Sequence, residues 1–298
     1  MLERRTDLAL EARELRAGAS DLPGVSSEEG RAEAFPLTTV RVTSHAGARA
    51  LGKPQGTYHT LDLTGLGRRE QKAFPRAVKA LAGLLSPLIA GERSDCVLVV
   101  GLGNRAMTPD AVGPKAADRT LVTRHLVTMA PSQFGSFRPV AVLAAGVLGT
   151  TGVESGEIVK AVADQIRPKA IVAVDALAAR RLERLCTTVQ VSDTGISPGS
   201  GVGNHRFSLD RESMGVPVIA VGVPTVVDGA TLAADLLEEA GRDGFDPAAL
   251  AKGSGATLMV SPRDIDQRVE DMAKVIGYGV SLALQPELSL EDLEMLVE

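Results

Sequence analysis

Two aspartates stand where an acid–base pair for hydrolysis would have to lie. Asp110 follows an apolar run in GLGNRAMTPDAVGP (101–114), and Asp175 ends another apolar run in VAVDALAAR (172–180). Because the carboxyl ends of parallel strands gather at one edge of a sheet, we expect both side chains to face one crevice. Two neighbouring carboxyl groups do not ionise together easily, so one keeps its proton and the pair supplies an acid and a base. Such a pair can activate water against a peptide bond, although Asp175 also fits the N-cap of a following helix.

The glycines of the first segment allow an interpretation from another class of protein. Gly101-x-Gly103-x-x-Ala106 follows a predicted strand with the spacing of a dinucleotide-binding turn. The acid expected at the end of the next strand is missing, because PVAVLAAG (139–146) ends in Ala and Gly. Pro109 would also interrupt a helix that opened at the glycines. A non-catalytic nucleotide-binding protein is therefore kept as an alternative.

A metal site is the second alternative for the same two carboxylates. The chain has four histidines and no HExxH pair or Cys/His cluster, which argues against a conventional zinc site. His205 lies in the glycine-rich segment SDTGISPGSGVGNHRF (192–207), which is predicted at the same end of the sheet. As a weak candidate ligand, it could hold a divalent ion together with Asp110 and Asp175. We otherwise expect no cofactor.

Apolar runs that alternate with helical stretches predict the fold. The alternation indicates an α/β protein with an open, largely parallel sheet and helices on both faces, because parallel neighbours need crossover helices. We expect a mobile segment over residues 8–35, with a short helix around 6–16, and a single α/β domain over 36–298. The predicted strands are 38–44, 56–63, 96–102, 139–146, 170–176, 187–193, 217–223 and 256–262. The predicted helices of the alternating region are 114–129, 154–167, 178–185, 229–240 and 263–284.

Composition excludes several classes of function. The 298 residues are 44% hydrophobic, enough for a large core, and the formal net charge is −5 without any basic run, so we expect no direct nucleic-acid partner. No apolar stretch approaches the roughly 18 residues of a membrane span, so we expect no membrane partner. The N-terminus has no signal-peptide pattern, and Cys96 and Cys186 are expected in the core, which fits a reducing cytoplasm.

Five segments in order resemble one family. GLGNRAMTPDAVGP, GTTGVESGE, PKAIVAVDALAAR, SDTGISPGSGVGN and PVIAVGVPTVVD are similar to segments of the germination protease, the spore endopeptidase of spore-forming Firmicutes. The resemblance implies an endopeptidase zymogen that degrades small acid-soluble spore proteins in the cytoplasm of the forespore and spore core and assembles as a homotetramer. It also implies a fold similar to that of hydrogenase maturation proteases. The family's two essential aspartates match Asp110 and Asp175, and its catalytic type is open between aspartic and metallo.

The resemblance also assigns a role to the first residues. The family cuts after an acid in a Thr–acid–aliphatic or aromatic–Ala–x–Glu context, and TDLALEA (6–12) is similar to that pattern. The implied cleavage is between Asp7 and Leu8, which would release a pro-segment of residues 1–7. If LALEA packs as a helix against the crevice, we expect cleavage to require local unfolding of residues 1–16.

Overall fold

The fold is built around one open β-sheet. The computed structural model describes residues 6–16, 22–197, 207–241 and 258–297. Within these ranges, nine strands join in the order β1-β2-β3-β7-β8-β6-β4-β5, and β9 pairs with β8. The strands are β1 Val25–Ala32, β2 Phe35–Val42, β3 Gly56–Asp62, β4 Val97–Leu102, β5 Val140–Gly146, β6 Ala170–Ala179, β7 Thr188–Ser192, β8 Val218–Asp228 and β9 Met259–Val260.

One half of the sheet is parallel and the other half is antiparallel. Strands β5, β4, β6 and β8 are parallel neighbours, whereas β7, β3, β2 and β1 add on antiparallel. Every residue of β4 is buried, as expected for a strand covered on both faces. The α/β class with an open sheet flanked by helices is confirmed, and the parallel pairing is confined to four neighbouring strands that end at the edge strand β5.

Helices cover both faces of the sheet. Val97 and Val99 of β4 belong to one hydrophobic cluster and Leu98 and Val100 to another, because successive side chains of a strand point to opposite faces. The described helices are α1 Ala9–Arg16, α2 His45–Leu51, α3 Thr64–Gly67, α4 Ala73–Leu85, α5 Val112–Asp118, α6 Arg124–Met129, α7 Pro131–Phe134, α8 Leu148–Thr151, α9 Ser155–Ile166, α10 Arg211–Met214, α11 Gly229–Glu239, α12 Ile265–Leu284 and α13 Leu290–Val297. Helices α4, α5 and α12 pack in the first cluster, and α9 and α10 pack in the second. No helix of the described part is long and apolar enough to cross a membrane.

The N-terminal region differs from the expectation. The short helix predicted around residues 6–16 is confirmed as α1, whereas within the segment expected to be mobile the edge strand β1 pairs with β2 along its whole length. The edge strand has the polar sequence VSSEEGRA, and charged residues are typical of edges because they discourage pairing with a further chain. Helix α1 packs Ala9 and Ala12 against Val40, Leu51 and Tyr58.

The segment after Asp175 also differs from the expectation. A helix over 178–185 is wrong, because β6 continues to Ala179 and pairs with β8 as far as Val227, across a register shift at Leu177–Ala178. Asp175 therefore lies inside a long strand and not at the N-cap of a helix. Ala, Leu and Arg favour helices locally, and pairing with β8 overrides that preference.

Candidate active site

One cavity joins the two predicted aspartates. It has a volume of about 550 Å³, and Asp110 and Asp175 both line it. Asp7, the residue before the expected cleavage point, lines it as well. Thr225 also lines this cavity, and its buried hydroxyl has no hydrogen-bond partner among the described residues. The cavity therefore combines carboxylates with hydrogen-bonding capacity beside the N-terminal segment.

Asp110 is positioned by the glycine turn that follows β4. It ends a short 3-10 turn, Thr108–Asp110, and its Oδ2 accepts a hydrogen bond from the amide of Asn104 at 2.7 Å. Gly103 has φ +110°, and a Cβ there would lie 2.1 Å from the carbonyl oxygen of Asp110. Only glycine allows this conformation and this close approach, so the glycine pattern serves to fold the loop back onto the aspartate.

Asp175 projects from the middle of the sheet. Its side chain is 5% exposed, and Oδ1 accepts from the amide of Ala176 at 2.9 Å. The register aligns Asp175 with Gly222 on β8, and Gly222 with Gln190 on β7. Residues directly opposite one another point to the same face, so the aspartate and the glutamine face the same side across a glycine that has no side chain. Two strand spacings separate their Cα atoms by roughly 9–10 Å, and the side chain of Leu177 packs over Gly222, where a Cβ would lie 2.3 Å from Leu177 Cδ1.

The N-terminal segment is hydrogen-bonded to strand β6 beside this row. The amide of Asp7 donates to the carbonyl of Ala178 at 2.9 Å, and the amide of Ala178 donates to Asp7 Oδ2 at 2.8 Å. Leu8 is fully buried in a small apolar cluster with Leu177, Leu185 and other residues. The segment is thus held on both sides of the Asp7–Leu8 bond.

Gln190 contacts the peptide groups around that bond. Its Nε2 donates to the carbonyl oxygen of Asp7 at 3.3 Å, and its Oε1 accepts from the amide of Ala9 at 2.8 Å. Sequence analysis missed this residue, although a polar residue alternating with valines in TTVQVSD (187–193) was a signal that could have found it. A side-chain amide placed in this way can stabilise negative charge on a carbonyl oxygen.

A second cavity also adjoins the N-terminal segment. It has a volume of about 460 Å³, and it shares Asp7, Leu177 and other lining residues with the first cavity. Lys53 lines it and donates from Nζ to the carbonyl of Thr6 at 3.4 Å. Burial lowers the pKa of Lys53, and the negative charges of Asp7 and Glu11 partly offset this shift. The segment upstream of the bond is therefore also held by side-chain contacts.

Comparison with known proteins identifies the family. A family model described as germination protease matches residues 3–242. The chain belongs to the germination protease family. Similar proteins named germination protease occur in Caldanaerobacter subterraneus subsp. tengcongensis (44% identity over 98% of each chain) and Clostridium perfringens (41% over 97% of each chain). The Bacillus subtilis protein of that name is 36% identical over 97% of this chain and 95% of its own.

Members of this family are peptidases, and the resemblance found in the sequence is confirmed. The protease is an endopeptidase of the kind associated with spore germination, so the non-catalytic nucleotide-binding alternative is wrong. Gly103 instead shapes the loop around Asp110.

The remaining candidate groups of the protease lie elsewhere. His205 falls outside the described residues, and the described histidines, His45, His59 and His125, do not line the cavity of the aspartates. Among the described residues, no three His, Cys, Asp or Glu side chains are grouped as a metal ion would require. Burial raises the pKa of the Cys186 thiol to about 12 and also raises the pKa of Cys96, so neither is an activated thiolate.

Proposed function

We propose that this protease is a zymogen that degrades small acid-soluble spore proteins during germination and first cuts its own Asp7–Leu8 bond. Cleavage there would release residues 1–7. The observation that carries the proposal is that Asp7 lines the same cavity as Asp110 and Asp175 while its carbonyl is bound by Gln190. A sequence that matches the expected cleavage pattern is therefore docked beside the two carboxylates.

In the proposed reaction, the two aspartates act as base and acid. One carboxylate takes a proton from water while the hydroxyl adds to the carbonyl carbon of Asp7, and Gln190 donates to the oxygen that becomes negative. The other carboxyl group gives its proton to the nitrogen of Leu8 as the C–N bond breaks. The products are a carboxylate on Asp7 and a free amine on Leu8.

The docked segment also supports control of this reaction. The amide of Leu8 donates to Thr6 Oγ1 at 3.1 Å, and helix α1 begins at the next residue. Proteases usually act on extended peptides, so we propose that a local rearrangement of residues 6–16 precedes cleavage. Leu8, Ala9 and Ala12 are buried, which makes this opening more costly than that of an ordinary chain terminus.

A metal-dependent reaction is the alternative for the same carboxylates. Carboxylate oxygens suit hard divalent ions, and His205 would be the further ligand. Our proposal uses the carboxyl pair without a metal ion. The two mechanisms differ in their response to chelators, which the experiment below uses.

The cellular setting forms part of the proposal through the family resemblance. We propose assembly as a homotetramer, action in the cytoplasm of the forespore and spore core, and protein substrates, without direct contact with nucleic acid or membrane. Sedimentation velocity would test the assembly, because a homotetramer has four times the mass of the 31.0 kDa chain.

The proposed function is tested by digestion of a purified small acid-soluble spore protein. Wild-type protein should cut it after acidic residues, with or without a chelator, and Asp175→Asn should not cut it. Loss of wild-type activity in chelator, restored by a divalent ion, would favour the metal alternative. Normal activity of Asp175→Asn would refute both mechanisms, since both use this carboxylate.

A further inference from the structure

Strand β8 contains one residue that has no opposite residue on the neighbouring strand β6. Leu177 of β6 pairs with Pro224, and Ala178, the next residue of β6, pairs with Val226. Thr225 is therefore the extra residue of a β-bulge. Proline in a strand is found mainly at edges and bulges, so Pro224 favours this irregularity. A bulge bends its strand and redirects a side chain, and bulges are common beside active sites.

The hydroxyl of Thr225 is an unsatisfied group in a buried position. Thr225 is 0% exposed, and its Oγ1 has no hydrogen-bond partner in the part of the chain that the structure describes. Buried polar atoms are nearly always paired, because an unpaired one destabilises the folded state. A valine would fill the same volume on a strand without this cost. The threonine is therefore explained better by a partner that its hydroxyl acquires during function than by the stability of the fold.

Thr225 lines the cavity that both aspartates line. It stands three residues after Gly222, which is aligned with Asp175, so the two positions are roughly 10 Å apart along the strand direction. The hydroxyl bonds neither carboxyl group in this state. The separation equals about three residues of an extended peptide. A chain that lies in the cavity with its cut bond at the aspartates thus passes Thr225 about three residues from that bond.

We propose that Thr225 is a substrate-binding residue whose hydroxyl donates a hydrogen bond to a backbone carbonyl of the peptide in the cavity. The proposal rests on the proposed cleavage by Asp110 and Asp175, because it concerns the chain that they cut. Every residue of a substrate has a carbonyl oxygen, so this contact recognises an extended polypeptide backbone and no particular side chain. It fixes the chain along its axis relative to the two carboxyl groups.

The uncut N-terminal segment accounts for the unpaired hydroxyl in this state. Leu8 packs in one apolar cluster with Leu177 and Ile196, and these two residues also line the cavity with Thr225. Because Thr225 has no exposure, neither water nor a peptide reaches its hydroxyl until its surroundings rearrange. Departure of Leu8 during the proposed rearrangement of residues 6–16 removes a packing partner of this cavity wall. Opening of the segment and access of a substrate to the hydroxyl are therefore coupled.

Removal of the hydroxyl should change stability and activity in opposite directions. Thr225→Val keeps the shape, so urea should unfold it at a higher concentration than wild type, since an unpaired polar group has left the interior. In digestion of a purified small acid-soluble spore protein, KM should rise about ten-fold and kcat should stay within about two-fold, because one hydrogen bond to bound substrate is lost. Thr225→Ser keeps the hydroxyl and should bring KM back to within about three-fold of wild type.

Thr120→Val is the matched control. Thr120 is also buried, but its hydroxyl donates to the carbonyl of Ala116 at 2.8 Å. It is not among the described residues that line the two cavities. Loss of its hydrogen bond should lower the urea midpoint and leave KM unchanged. The two variants thus separate a change in stability from a loss of substrate binding.

The outcomes distinguish this role from the proposed function. Active wild-type protein together with an unchanged KM in Thr225→Val would overturn the role of the hydroxyl and leave the proposed function standing. A lower urea midpoint in Thr225→Val, or its failure to fold, would do the same, because the hydroxyl would then already have a partner in the folded chain. A KM that stays high in Thr225→Ser would show that packing matters and the hydroxyl does not, and would also overturn the role. Wild-type protein that does not cut the substrate would refute the proposed function and this role together.

Discussion

Replacing Glu11 by Gln should loosen helix α1 while leaving the sheet intact. The carboxylate is buried and accepts from two backbone amides, one hydroxyl and the Arg184 guanidinium. Glutamine has nearly the same shape, so the change removes charge and one acceptor without opening a cavity. The variant therefore isolates the electrostatic part of the docking.

The size of the effect follows from the number of hydrogen bonds. The glutamine NH2 group must face at least one donor, and a buried donor without an acceptor costs about 1–3 kcal/mol. The bonds that remain lose the charge assistance that makes them stronger than neutral bonds. A loss of about 3 kcal/mol in the docking of α1 corresponds to a roughly 100-fold increase in the population of the open segment.

Hydrogen exchange measured by mass spectrometry reports this opening directly. Amides of residues 9–16 should exchange about 100-fold faster in Glu11→Gln than in wild type, while those of β4 and β8 should be unchanged. Glu14→Gln is the matched control, because Glu14 lies on the same helix and contacts the same arginine, but it is partly exposed. An exposed ion pair contributes little, so this variant should exchange almost like wild type.

Two results would refute the reasoning. Exchange of α1 in Glu11→Gln within about three-fold of wild type would mean that the buried carboxylate does not hold the helix. Equal acceleration in both variants would mean that the ion pair with Arg184, and not the buried backbone amides, carries the effect.

Three further variants test other parts of the site. Gln190→Ala should slow release of residues 1–7 by about 100-fold, as expected for the loss of one donor to a reacting carbonyl. Mass spectrometry over time measures this rate, and an unchanged rate would show that Gln190 takes no part in the reaction. Gly103→Ala should lower both the melting temperature and the cleavage rate, because φ +110° and the contact with Asp110 exclude a Cβ. Wild-type values of both quantities would contradict the role given to this glycine. Burial lowers the pKa of His59, so the unfolded chain takes up the proton first and stability is lost as pH falls below about 6.5. Urea unfolding at pH 7 and pH 5 should therefore show a smaller loss of stability for His59→Gln than for wild type. An equal loss in both proteins would show that other groups dominate.

The sequence supported a prediction of the sheet because its parallel strands carry strong local signals. Apolar runs such as VLVVGL form strands wherever both faces are covered, and a longer connecting helix such as α9 shows its period. The polar edge strand VSSEEGRA has no such pattern, so its pairing with β2 could not be recognised. The extension of β6 beyond Asp175 depends on pairing with β8, which local propensity does not report.

Candidate site residues could be predicted where the local sequence marks them. They could not be predicted where their role depends on tertiary contacts. Asp110 stands in a glycine- and proline-rich loop, and Asp175 interrupts an apolar strand, so both could be singled out from the sequence, and both line one cavity. Gln190 and Glu11 acquire their roles only from partners far along the chain, at sequence separations of 183 and 169 residues. Such pairings are set by the fold, and the polar position between valines that marks Gln190 in the sequence does not reveal its partner.

The central claim is that Asp110 and Asp175 cut the bond between Asp7 and Leu8 in their shared cavity. Intact-mass spectrometry of freshly purified and incubated protein tests it most directly, with wild type, Asp110→Asn and Asp175→Asn compared at equal circular dichroism. We expect wild type to lose residues 1–7 and both variants to stay at full length. Loss of the same seven residues from either folded variant, at the wild-type rate, would contradict the account.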